Sequence, residues 1–218
     1  MSPVGAVFLA FAALVAGAGA LSTTQLSDDA LGAILASATS LLLLVFAVLL
    51  WRRLPEHDRR WAVAPTHPLP GTIGLGVATG LGILVAAASI IATGGAVDPV
   101  VERRLEEIED IGTRPWQLVL TITALVVLAP LGEELLFRGL LLRALVRRVR
   151  FWPAAIISSV LFTAAHADAY LLWPRAVALI ATGLALAWIY RRRGYRASVT
   201  AHATVNLVAA IALVATSW

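Results

Sequence analysis

The sequence predicts an all-α membrane bundle of about seven spans, with the N-terminus inside and the C-terminus outside. Three observations carry this. The chain is 60% hydrophobic and only 14% charged, against about 25% charged residues in a soluble domain, and its mean hydropathy is +0.86. Its apolar residues fall into long runs rather than one diffuse core. Those runs lack the period-two alternation of an outer-membrane barrel, so their backbone polar groups can be satisfied in lipid only as helices.

The runs are Val4–Leu21, Leu31–Trp51, Gly71–Val97, Trp116–Leu131 with its continuation through two glutamates, Phe151–Trp173, Pro174–Tyr190 and Ser198–Trp218. Each holds about 17–27 residues, enough for a hydrocarbon core of about 30 Å. The whole chain, 1–218, reads as one membrane-embedded domain, in which 1–97 supplies three accessory helices. The first run could instead be a cleaved signal sequence, but it lacks the basic leading segment.

All 17 basic residues are Arg. They cluster after the second run (Arg52, Arg53, Arg59, Arg60), the fourth (Arg143, Arg147, Arg148, Arg150) and the sixth (Arg191, Arg192, Arg193, Arg196). This alternation sets the orientation by the positive-inside rule and implies a multi-pass protein of the plasma membrane. It also explains the net charge of +4 without a nucleic-acid partner. With no cysteine in the chain, disulfides and thiolate metal sites are excluded. Gly76 and Gly80, four apart in the third run, suit close helix packing. The Asp98–Ile111 segment reads as a short surface helix opening on Asp98-Pro99.

Chemistry concentrates in the fourth run. Glu133 and Glu134 interrupt it in LAPLGEELLFRGLLLR, after Pro130 and Gly132, either of which can open the backbone ladder. A charge in hydrocarbon costs about 2.5–3.5 kcal/mol on insertion scales, so it is kept where it has partners and a task. Arg138 lies four residues after Glu134, on its helical face, and can neutralise it. Glu133 points about 100° away and is free to face a cavity. Phe162 and His166 are four apart on the fifth run, His202 and Asn206 on the seventh. Together they offer a base, water-positioning groups and oxyanion donors. Counted from the basic ends, His202 is shallow and His166 lies near the midplane or beyond, so their helices must be tilted or offset to converge. His57 and His67 fall in a proline-rich polar loop and Asp168 near an outer helix end; none is given a role.

EELLFR (Glu133–Arg138), FTAAH (Phe162–His166) and HATVN (His202–Asn206) resemble, in that order, the motifs of the CPBP family, which includes the CAAX prenyl endopeptidases and the bacteriocin-processing and self-immunity proteins. Gly183 and the Tyr190–Ser198 turn also resemble the stretch before its last motif, and the likeness runs from about Trp116 to Leu207. The resemblance implies an intramembrane endopeptidase acting on a membrane-associated peptide or a prenylated, lipid-anchored protein. Glu133 would be the general base, His166 would hold the water, and His202 and Asn206 would stabilise the oxyanion. Glu134, Arg138 and Phe162 would support them. A zinc ion, which the family's frequent description as metalloprotease suggests, would take Glu133, His166 and His202 as ligands. The two histidines at i, i+4 on one helix that usually mark such a site are missing, so the reading favours activated water and requires no cofactor. Outside this resemblance, buried Glu and His residues would also suit an ion-coupled transporter or a non-catalytic immunity or assembly factor. The absence of repeated halves weighs against a carrier.

Overall fold

A computed structural model describes residues 29–64, 69–93, 115–166 and 173–216. Among them there is no β-strand, and seven helices follow in order. They are α1 (Asp29–Arg52), α2 (Glu56–Val63), α3 (Leu69–Thr93), α4 (Pro115–Val146), α5 (Phe151–Ala164), α6 (Trp173–Arg193) and α7 (Tyr195–Thr216). Three are long and apolar enough to cross a membrane: α3 from Pro70, α4 and α6. The apolar stretch Ser37–Arg52 of α1 and the whole of α5 are shorter. The first run, the Asp98–Ile111 segment, His67 and Asp168 lie outside the described residues.

Helix α4 runs unbroken through Pro130 and Gly132, but not in one register. It is π-helical at Ala124–Leu128 and again at Leu135–Leu142. The carboxylates fall on the α-helical turn between, Ala129–Glu134. The second π stretch is buried along its whole length and packs with Ala47 and Phe162 in the main apolar cluster.

Small residues set the helix spacing. A Cβ on Gly76 would sit 2.8 Å from Thr200 Cβ, and one on Gly80 2.6 Å from the Ala201 carbonyl oxygen. Helices α3 and α7 thus touch backbone to backbone, in the small-residue packing expected of a membrane interface. Gly183 does the same between α6 and α5, where an added Cβ would meet Ser159 at 2.7 Å. Helices α6 and α7 are joined by Gly194 alone, at φ 82°, a conformation in which a side chain would be strained.

Two elements differ from the sequence expectation. The fifth run does not form one helix to Trp173. Helix α5 stops after 14 residues, about 21 Å, because the His166 ring claims a backbone carbonyl. His166 Nδ1 lies 2.8 Å from the Phe162 oxygen, and the main-chain nitrogen turns instead to Thr163 O at 2.9 Å. His166 therefore sits just past the end of α5, and its ring and that of His202 converge on Glu133. The proline-rich loop, in turn, contains the short helix α2. Trp51 Nε1 donates to Arg59 O at 3.0 Å, Tyr190 Oη donates to Ala62 O at 3.0 Å, and Arg147 pairs with Asp58. These contacts draw the arginine-bearing ends of α1, α4 and α6 to one end of the bundle.

Candidate active site

The buried side of the site is built on Glu134. Its Oε1 accepts a hydrogen bond from Arg138 Nη1 at 2.8 Å and lies 3.0 Å from His202 Nδ1. Its Oε2 accepts from the Ser198 hydroxyl. Glu134 and Arg138 are both fully buried. The other end of the guanidinium donates to Gly183 O at 3.2 Å. A buried pair is kept only when its remaining polar atoms are also satisfied, and Ser198, His202 and the Gly183 carbonyl supply most of that. The contacts show Glu134 doing more than neutralising Arg138: it also fixes the last helix and orients an imidazole. Ser198 was missed in the sequence, although it lies four residues before His202 and eight before Asn206, on the same face of α7.

Phe162 is the apolar counterpart. The Arg138 guanidinium carbon lies 4.6 Å from its ring centroid, the His166 ring 4.7 Å and the His202 ring 5.8 Å. One buried ring thus packs against three of the polar groups and limits their rotation.

Glu133 is mostly buried, its side chain 15% exposed. Its Oε2 lies 3.9 Å from His166 Nε2 and 3.9 Å from His202 Nε2, and this oxygen is buried without a hydrogen-bond partner in the structure. The three groups come from α4, the end of α5 and α7. Each imidazole has its Nδ1 facing an acceptor, the Phe162 carbonyl or the Glu134 carboxylate. In the neutral ring that places the hydrogen on Nδ1 and leaves Nε2 a lone pair toward Glu133. The separations exceed a direct hydrogen bond and suit groups that meet through water.

The three groups stand wider apart than the ligands of a closed zinc site. At bond lengths of about 2.0–2.1 Å, the donor atoms of a tetrahedral zinc lie about 3.3 Å apart, closer than the 3.9 Å found here. Among the described residues no group of three His, Cys, Asp or Glu side chains is disposed to hold a metal ion.

Asn206 is placed differently from the other three. Its Nδ2 donates to Leu125 O at 2.7 Å, a carbonyl inside the first π stretch. In π register the partner of Leu125 O would be the N–H of residue 130, which is proline and has none. The α-register alternative, Ala129 N, is bonded to Ala124 O. Asn206 therefore satisfies a carbonyl orphaned by Pro130, as a membrane helix requires. Its second amide hydrogen is not used in this contact. His57 is on α2, exposed at the surface.

Residues 115–208 match the family model described as type II CAAX prenyl endopeptidase Rce1-like. This stretch belongs to that family. The Rce1-like stretch contains every residue of the site described above. An uncharacterized 24.3 kDa protein of Escherichia coli is 43% identical over 53 residues, which are 23% of this chain and 24% of that protein. The chain thus matches about a quarter of that relative's length. No solved structure matches.

Proposed function

We propose that this protein is an intramembrane endopeptidase in which Glu133 activates water to hydrolyse a peptide bond near the membrane surface. The observation that carries the reading is the approach of two imidazole Nε2 atoms to one buried carboxylate oxygen, each at 3.9 Å. Water at that point donates one hydrogen to His166 Nε2 and the other to Glu133. Glu133 takes the proton as the oxygen adds to the substrate carbonyl. The same proton then passes to the departing amine, so one carboxyl serves as base and acid in turn.

The oxyanion is met by the second amide hydrogen of Asn206 and by His202. For that role His202, neutral in the resting site, takes a second proton on Nε2 from solvent while Nδ1 keeps its hydrogen toward Glu134, whose carboxylate is shared with Arg138. A well-placed donor contributes about 3–4 kcal/mol to such a transition state. No covalent intermediate is invoked: the chain has no cysteine, and the Ser198 hydroxyl is fully buried on a carboxylate already paired with Arg138. The substrate is a membrane-associated peptide or protein tail, prenylated or otherwise lipid-anchored. The protein acts as a multi-pass component of the plasma membrane, with its arginine-rich end on the cytoplasmic side.

The test is cleavage by purified protein of membrane-anchored peptides with and without a C-terminal isoprenoid, with Glu133→Gln as the blank. The reading expects one membrane-proximal cut, located by mass spectrometry of the new ends, that the variant does not make. Cleavage of none of the peptides, or equal cleavage by the variant, would favour a non-catalytic membrane factor.

A further inference from the structure

Away from the site, the start of α5 and the end of α6 form a cleft of about 420 Å³ lined by Trp152, Trp188, Arg191 and Arg192. Arg191 lies 4.4 Å above the Phe151 ring and Arg192 5.7 Å from the Trp188 ring. Stacking of this kind fixes the plane of a guanidinium group. Both tryptophans are open to the surroundings, Trp152 by 55% and Trp188 by 37%. The charge is strongly one-sided: from Leu135 to Trp218 the sequence has one carboxylate side chain, Asp168. Arg150 and Arg193 flank the cleft in sequence.

An apolar track leads away from this basic end. Ile156 and Val160 follow Trp152 at i+4 and i+8 on α5, and both are exposed. Arginines over aromatic rings, continued by an apolar helix face, match an amphiphile with a phosphate head and an acyl tail. A free phosphate would use the arginines and leave the tryptophans and the track unused. We propose that this cleft binds an anionic phospholipid, its phosphate on Arg191 and Arg192, its glycerol region between the two tryptophans and an acyl chain along Ile156 and Val160.

The test compares the protein in nanodiscs or mixed micelles of phosphatidylglycerol and of phosphatidylcholine with the same acyl chains, with glycerol phosphate added separately as the soluble head group. Retained lipid is counted by native mass spectrometry, and the melting temperature is followed in parallel. Phosphatidylglycerol should be retained preferentially and raise the melting temperature, while glycerol phosphate should do neither. An arginine at a bilayer surface contributes about 5-fold in anionic-lipid binding, so Arg191→Gln with Arg192→Gln should lower the preference about 30-fold. Arg52→Gln with Arg53→Gln, which removes equal charge from the end of α1, should leave it intact. Trp152→Ala should lower retention with the charge unchanged. Equal retention of the two lipids by the unaltered protein would overturn the proposal without recourse to any variant. So would equal loss in the two arginine pairs, or displacement of the lipid by glycerol phosphate.

Discussion

Arg138→Met would expose how much the buried ion pair holds together. The substitution keeps most of the side-chain volume and removes the 2.8 Å bond to Glu134, the 3.2 Å bond to Gly183 O and the contact with the Phe162 ring. It leaves the Glu134 carboxylate fully buried with Ser198 and His202 as its remaining partners. Breaking a buried pair from one side costs about 3–5 kcal/mol. In a chain of this length about 1 kcal/mol corresponds to about 2–4 °C, so the melting temperature should fall by roughly 6–20 °C. Glu134→Gln should be harmful too, because it strands the guanidinium. The double variant should melt above Arg138→Met alone: a glutamine oxygen can accept from His202 and its amide can donate to Ser198. The assay is thermal unfolding in one detergent, read as a double-mutant cycle. If Arg138→Met melts with the unaltered protein, or the two single effects simply add, the ion pair is not the structural support argued here.

Asn206→Ala should cost about 1–3 kcal/mol by leaving Leu125 O unsatisfied; Pro130→Ala, by restoring an N–H at that point, should recover the melting temperature of Asn206→Ala but not its cleavage rate if the second amide hydrogen serves the oxyanion. Gly80→Val would drive a side chain into the Ala201 carbonyl at 2.6 Å and should lower the melting temperature more than Gly82→Val, where an added Cβ meets nothing within 4 Å. For Asp58, burial pushes the carboxyl upward, but its hydrogen bond and charge pairing with Arg147 outweigh that and hold it below its ordinary 3.8. Its contribution is then complete above the unfolded value of 3.8 and is lost as the pH falls through the lower folded value. Asp58→Asn should remove that part of the acid sensitivity in a pH series of melting curves, by a small amount because Arg147 is largely exposed.

The order of α1 and α3 to α7 and the pairing of Glu134 with Arg138 were legible because both follow from spacing: long apolar runs, and oppositely charged groups one helical turn apart. The separate direction of Glu133 was legible for the same reason. Register changes were not. Pro130 marked a weak point in the ladder, yet no local pattern gives the π turn at Ala124–Leu128 or shows that Asn206, 81 residues away, completes it. The end of α5 was hidden similarly, since the run stays apolar past Ala164 and the stop comes from the His166 ring taking the Phe162 carbonyl. Ser198 could have been found by extending the His202 and Asn206 face back one turn. Helix α2 has only eight residues, with Trp61, Ala62 and Val63 crowded at its end, too few to show a period; its hold on the bundle comes from Trp51, Tyr190 and Arg147.

The most direct measurement of the central claim is the single-turnover cleavage rate of Glu133→Gln beside its melting temperature, with Glu134→Gln as the paired control. Loss of a general base lowers the rate by about 100- to 10,000-fold, and Glu133 makes no hydrogen bond whose removal should unfold the protein. The expected result is a nearly inactive Glu133→Gln with an unchanged melting temperature, and a Glu134→Gln that melts early. A Glu133→Gln protein that cleaves at the full rate, or loses activity only because it unfolds, would contradict the assignment of the water to Glu133.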